Sequence, residues 1–477
     1  MRRSALFLAA FAATLVAARA AGADTGGTEK PLGEALPLWS ALPFVGLLAS
    51  LAVFPLAAPH FWHHRYPLVA LAWAIVFAVP FLVFFRDQAV SGLLHSLVMD
   101  YVPFVILLTS LFTISGGVVL RGTLRGTPGS NTLLLAVGTV LASWIGTTGA
   151  SMVLVRPLLR ANAGRARRTH LVVFFIFLVS NMGGALTPLG DPPLFLGFLA
   201  GVPFFWTMKL LPHCTFVGGL LLATFYLIDR RAYQREGVAV RTHTGPAEPL
   251  RIAGWLNVAL LAGVVLAVLA SGILHLPEVH FAGLHLRGAN LMRDGVLVLL
   301  TLVSLRFGSA ALRLENGFTW GPMREVAILF AAIFVTIVPA LAILSAGEHG
   351  ALAPVMRFAV APWRYFWVTG TLSAMLDNAP TYLTFLATAL GRFYEGVEFR
   401  QAVRLLVEEH PLHLEAISAG AVYMGAMTYI GNAPNFMVRS IAEEAGVDMP
   451  TFFGYVIRWS VPILVPILVL MTLIFFL

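Results

Sequence analysis

Apolar runs of about 20 residues, the length a helix needs to cross a bilayer, recur along most of this chain and are separated by short charged segments. They are Leu36–Ala58, Pro67–Phe85, Met99–Leu120, Leu171–Ala200, Thr207–Ile228, Ile252–Leu274, Leu291–Arg306, Val326–Leu344, Leu414–Ile441 and Phe452–Leu477. Two further apolar stretches, Leu133–Leu159 and Trp363–Leu390, are interrupted near their middles by small and polar residues. The interruptions read Gly146-Thr147-Thr148-Gly149-Ala150-Ser151 and Asp377-Asn378-Ala379-Pro380-Thr381. Glycine and proline make a continuous helix unfavourable at such points. The pattern predicts an all-α polytopic membrane protein.

Composition agrees. Only 11% of the 477 residues are charged and 58% are hydrophobic, whereas soluble domains carry about 25% charged residues. This excludes a soluble enzyme and a disordered or nucleic-acid-binding chain. The net charge of +8 reflects 31 basic residues, nearly all arginine, clustered between apolar runs; such clusters read as topology markers. Cys214 is the single cysteine, which excludes an intramolecular disulfide. No metal-binding spacing and no cofactor motif occurs; the only ions expected are transported or coupling Na⁺ and H⁺.

Residues 1–23 resemble a secretory signal peptide, with Arg2-Arg3 before the apolar run Ala5–Ala18 and small residues at a cleavage site. Residues 24–35 read as a short exported tail. Charge then orients the rest. Arg121 and Arg125 precede Leu133–Leu159, and Arg156, Arg160, Arg165, Arg167 and Arg168 end it, with no acid in either flank. Both ends therefore belong on the cytoplasmic side, which makes 133–159 a re-entrant hairpin. Acid-rich residues follow Trp363–Leu390, so 363–390 reads as a hairpin entering from the opposite face. Three spans, a hairpin and two spans make up 36–228, with a broken span at 171–200 and a span at 207–228. After a cytoplasmic loop at 229–251, the same series fills 252–477, with a broken span at 414–441 and a span at 452–477. An odd number of crossings inverts the second half, giving an inverted-repeat transporter with two re-entrant hairpins and two broken transmembrane helices.

The broken spans carry the candidate chemistry: Ser180-Asn181-Met182-Gly183-Gly184-Ala185-Leu186-Thr187-Pro188-Leu189-Gly190-Asp191-Pro192-Pro193 and Thr428-Tyr429-Ile430-Gly431-Asn432-Ala433-Pro434-Asn435. Unwound backbone at membrane depth is tolerated only inside protein or beside a watery cavity. Freed carbonyls with Asn and Thr oxygens form a hard donor set suited to Na⁺ or proton-linked chemistry. Asp377 and Asp191 are the candidate proton or cation carriers, since an intramembrane carboxylate costs several kcal/mol, roughly 2.5–3.5 on the insertion scale, and is functional by default. Asp191 could instead cap the half-helix after it, and Asp377 could form an Asx-turn before Pro380. Candidate ion or substrate ligands are Thr147, Thr148, Ser151, Asn181, Thr187, Gly190, Asn378, Thr381, Gly431, Asn432 and Asn435; turn-making and back-bonding to helix carbonyls are the rival readings. An intramembrane enzyme would need a nucleophile with its base or a metal dyad at depth, and no such arrangement is placed within the spans.

Asn181 through Pro193 resembles the signature of the ion transporter superfamily, which includes NhaD-type sodium/proton antiporters, arsenite permeases and citrate or dicarboxylate transporters. Asp377-Asn378-Ala379-Pro380 is similar to the hairpin tip of the antiporter branch, and Ile430 through Asn435 to its second broken span. The resemblance covers nearly the whole chain after the signal segment. It implies a central site between two hairpins, elevator-type motion of the site-bearing part, and a homodimer formed through a scaffold part. One departure matters: the first tip reads Thr147-Thr148-Gly149-Ala150, without the acid the antiporter branch carries there. The carboxylate branch's Ser-Asn-Thr tips are absent too. The expectation is a secondary active transporter of the bacterial inner membrane, working by sodium:proton antiport, with Na⁺- or H⁺-coupled citrate or other anion transport as the alternative. Its partners are membrane lipid and a small ion or carboxylate, not nucleic acid.

Overall fold

The computed structural model describes residues 32–236, 248–281, 284–349 and 360–477. The signal segment 1–23, most of the tail 24–35 and much of the loop 229–251 lie outside the described residues.

The chain is a helical membrane protein. Among the described residues, eight helical segments are long and apolar enough to cross a bilayer. One of them, Pro59–Ser115, has 57 residues. At 1.5 Å per residue it would extend about 85 Å, far beyond a hydrocarbon core of about 30 Å. Backbone at Arg86 (φ 38°, ψ −107°) is non-helical and divides it. It therefore provides two crossing lengths, in keeping with the separate runs Pro67–Phe85 and Met99–Leu120.

Numbering the helices that matter here, α1 is Leu42–Ala57, α2 Pro59–His95, α3 Val102–Ser115, α4 Pro128–Ile145, α5 Thr147–Ala161 and α6 Thr169–Leu178. Then come α7 Pro192–Ala200, α8 Leu211–Arg235, α9 Trp255–Ile273, α10 Gly288–Phe307, α11 Gly321–Thr336 and α12 Val338–Ser345. The series ends with α13 Pro362–Met375, α14 Asn378–Phe393, α15 Phe399–Glu409, α16 Pro411–Met424, α17 Ala433–Glu444 and α18 Val465–Phe475. The single run expected at Val326–Leu344 is two helices, α11 and α12, bent by 42°. Pro339 explains the bend: it lacks an N–H and its ring crowds the carbonyl one turn back.

Among the described residues, two short antiparallel ribbons complete the fold, and neither closes into a larger sheet. Strand β1, Val119–Arg121, pairs with β2, Arg251–Ala253, and β3, Glu278–Phe281, pairs with β4, Leu284–Arg287. The first ribbon ties the end of α3 to the start of α9.

Burial separates the centre from the periphery. The segment Thr169–Leu186 is 89% buried, against 39% or less for the other candidate spans. A helix apolar on every face needs apolar surroundings all round; here protein supplies them, and α6 is the central helix. Peripheral helices instead present Val83, Phe84, Leu133 and Leu299 outward, as lipid contact requires.

The two interrupted stretches are each a pair of helices. α4 ends and α5 begins at Gly146, whose φ of 80° is left-handed and suits glycine. α13 ends at Met375, and α14 begins after extended backbone at Leu376 and Asp377. Both broken spans are interrupted where the Gly/Pro tracts lie: α6 and α7 flank residues 179–191, and α16 and α17 flank residues 425–432.

Candidate ion site between the broken helices

Four helices start around one cavity. Gly146, Asp191, Asp377 and Asn432 occupy the position before the first turn of α5, α7, α14 and α17. All four line the same cavity of about 80 Å³, room for several water molecules. Thr147, Thr148, Gly190, Phe195, Met323 and Met437 lie among its other walls. The charged residues lining it are Asp191 and Asp377; no lining residue is basic.

Asp191 is the centre of the polar network and is 1% exposed. Its Oδ1 accepts from Thr147 Oγ1 at 3.1 Å and from Asn432 Nδ2 at 2.9 Å. Its Oδ2 accepts from Asn378 Nδ2 at 2.5 Å. One carboxylate thus gathers the tips of both interrupted stretches and the second broken span. The Asp191 side chain makes no bond to the backbone N–H groups of α7, so the capping alternative does not describe it. Asp377 does cap: its Oδ1 accepts from Ala379 N at 3.0 Å.

The asparagines form a second layer. Asn181 Nδ2 donates to Asn435 Oδ1 at 2.7 Å and to the Ile176 carbonyl at 2.8 Å. Asn432 Nδ2 also reaches Asn181 Oδ1 and the Ser180 carbonyl, both at 3.2 Å. Asn435 Nδ2 donates to the carbonyls of Gly425 and Thr428, both at 2.9 Å. These carbonyls lie where the breaks free them from helical partners. Asn378 Oδ1, by contrast, is buried with no hydrogen-bond partner, leaving one acceptor unused beside the Asp191 carboxylate.

The remaining candidates hold the breaks in shape. Thr187 Oγ1 donates to the Ser143 carbonyl, and Thr428 Oγ1 donates to the Ala374 carbonyl at 2.5 Å. In each break the same hydroxyl accepts from the backbone N–H two residues on, Leu189 and Ile430, at 3.2 Å. Gly190 packs so closely on Gly184 that a Cβ would lie 2.2 Å from its carbonyl oxygen. Gly431 does the same against Gly425, at 2.6 Å. Thr381 Oγ1 bonds back to the Asp377 carbonyl at 2.9 Å. The Ser151 and Ser180 hydroxyls lie 2.9 Å apart, linking α5 to the end of α6. Ser151 and Thr381 are thus absorbed locally.

Sequence reading missed Ser143 and Ser373. Ser143 Oγ donates to the Gly183 carbonyl, and Ser373 Oγ donates to the Ala421 carbonyl at 2.6 Å. Each pins a broken span to the helix preceding an interruption. Their position three or four residues before Gly146 and Asp377 was the only available signal.

A family model described as putative citrate transport matches residues 33–476. The chain belongs to this family. Membership in the citrate-transport family and the helical membrane fold point to transport rather than catalysis. No curated protein sequence matches the chain.

Proposed function

We propose that this member of the citrate-transport family is a secondary active transporter of a bacterial inner membrane that binds a coupling cation at Asp191 and Asp377. Sodium:proton antiport is the reading the site favours. The observation that carries it is the lining of the cavity: two carboxylates, no basic side chain, and an unused amide oxygen at Asn378. Asp191 accepts three neutral donors, and a proton on a buried carboxylate would balance its charge when the cation leaves, which is the exchange antiport requires. The donors come from both interrupted stretches, which hold the one site between them.

The same parts support an inverted repeat. Thr187 with Ser143 and Thr428 with Ala374 make equivalent bonds, 44 and 54 residues apart, and the added length corresponds to α15. On this reading α4–α5 and α13–α14 are re-entrant hairpins. They move with the broken spans as one body against the remaining helices, in an elevator-type cycle. A homodimer through those remaining helices fits the same scheme.

Citrate or another carboxylate, coupled to Na⁺ or H⁺, is the second reading. The family description favours it, as do the four helix N-termini around the cavity, each carrying partial positive charge. Reconstitution with a pH-reporting dye separates the two. Na⁺ or Li⁺ pulses that drive proton movement support antiport; proton movement or uptake evoked only by citrate supports the second reading.

A further inference from the structure

The cavity has no basic side chain, yet a buried guanidinium lies one aromatic ring away from it. Arg293 belongs to the second turn of α10, at the end next to the β3–β4 ribbon. By the charge rule that places Arg306 and Arg324 inside, this is the outer end. Its side chain is 0% exposed. Nε donates to Asp294 Oδ1 at 2.8 Å, and Nη1 donates weakly to Asn290 Oδ1 at 3.4 Å. Nη2 is buried with no partner. The guanidinium carbon lies 5.6 Å from the centre of the Phe195 ring.

Phe195 is one turn beyond Asp191 on α7, is 1% exposed, and also lines the cavity. The ring therefore touches both the Asp191 cavity and the guanidinium. The cavity also reaches Met323 and Met437, close in sequence to Arg324 and Arg439. By the same charge rule the Arg324 end is the inner one, so Phe195, which touches Arg293, borders the cavity toward the outer side. A half-satisfied buried guanidinium is costly, and a fold that keeps one at such a barrier has a use for its open donor.

We infer that Arg293 is an anion-binding residue of the outer gate. It takes a carboxylate group of the substrate when α7 and Phe195 withdraw and the site turns outward. This rests on the citrate reading above and extends it. It supplies the positive charge that the cavity lacks, on the α10 side, apart from the Asp191–Asp377 cation site. Guanidinium suits the task because its planar fork matches a carboxylate.

The test uses the full chain in proteoliposomes of one orientation, with labelled citrate offered from either side. Arg293→Met and Arg293→Lys are compared with wild type, and size exclusion and melting temperature check folding. We expect the outer KM for citrate to rise about tenfold or more in Arg293→Met and less in Arg293→Lys, as expected for losing a charged hydrogen bond. The inner KM should stay within about twofold, because the residue is covered in that state. Equal KM changes on both sides, or none in Arg293→Lys should Arg293→Met fail to fold, would overturn the inference. Citrate uptake with unchanged outer KM in both variants overturns this inference alone. A wild type that exchanges cations for protons without taking up citrate overturns it too, yet leaves the Asp191–Asp377 site standing.

Discussion

Asn378 Nδ2 donates to Asp191 Oδ2 at 2.5 Å across 187 positions of sequence. This bond joins the start of α14 to the break before α7, the two elements that carry the two cavity carboxylates. A carboxylate accepting several hydrogen bonds is stabilised in its charged form. The bond holds α14 against the break before α7, so both elements shape the environment of Asp191.

The donors around Asp191 should behave as one unit. Thr147→Val and Asn378→Ala each remove a donor and should cost about 1 kcal/mol of stability. Because both act on one carboxylate, the double variant should depart from additivity by about 0.5 kcal/mol or more. Thermal melting of the two single variants and the double variant in detergent measures this. Strict additivity would mean that the two contacts are independent.

The breaks depend on close backbone approach. Gly190→Ala would bring a Cβ to 2.2 Å from the Gly184 oxygen, and Gly431→Ala to 2.6 Å from the Gly425 oxygen. Both should destabilise by about 1–3 kcal/mol and reduce transport. Gly129→Ala in α4, where nothing lies within 4 Å, is the control and should be neutral or mildly stabilising. Expression level and melting temperature read all three.

A buried ion-pair network anchors the C-terminal end of α8. Arg165 Nη2 lies 2.6 Å from Asp229 Oδ1, with the two side chains 2% and 0% exposed. His170 Nε2 lies 2.9 Å from the same oxygen, and Asn131 Nδ2 donates to Oδ2 at 2.9 Å. Asp229→Ala leaves Arg165 with only Glu236 as a charged partner and should cost about 3–5 kcal/mol. Removing Glu315 from its exposed pairing with Arg121 should change stability little. Melting temperatures of the two variants should separate clearly.

The link between α14 and α16 is acid-sensitive. Glu398 caps α15, accepting from the backbone N–H of Arg400 at 3.1 Å and of Gln401 at 2.9 Å. The Arg400 N–H first, and then that of Gln401, hold its carboxyl below the usual glutamate range. Its contribution is fully present above the unfolded value of about 4.3 and disappears as pH falls through the lower folded value. Hydrogen exchange of α15 amides should therefore accelerate only below about pH 4, and Glu398→Gln should flatten that dependence.

Much of this was legible in the chain. Apolar runs located most of the long apolar helices, and Gly/Pro tracts located both interruptions, because hydrocarbon enforces length and hydrogen bonding enforces continuity. The roles of Asp191 and Asp377 were less readable. Both precede a potential helix start; the local turn open to Asp377 is present in its contact with Ala379 N, whereas only the fold reveals that Asp191 turns its carboxylate to Thr147, Asn378 and Asn432. Such long-range contacts leave no periodic trace. Arg293 was equally silent, since one arginine near the start of an apolar run looks like any interfacial charge until Phe195 is found against it.

The central claim is that the cavity carboxylates carry the coupling cation. The most direct measurement is Na⁺- or Li⁺-evoked proton movement in vesicles containing wild type, Asp377→Asn or Asp191→Asn. The account predicts clear proton movement in wild type and its loss in both variants. No cation-dependent proton movement in wild type, with intact uptake of an organic anion, would contradict it.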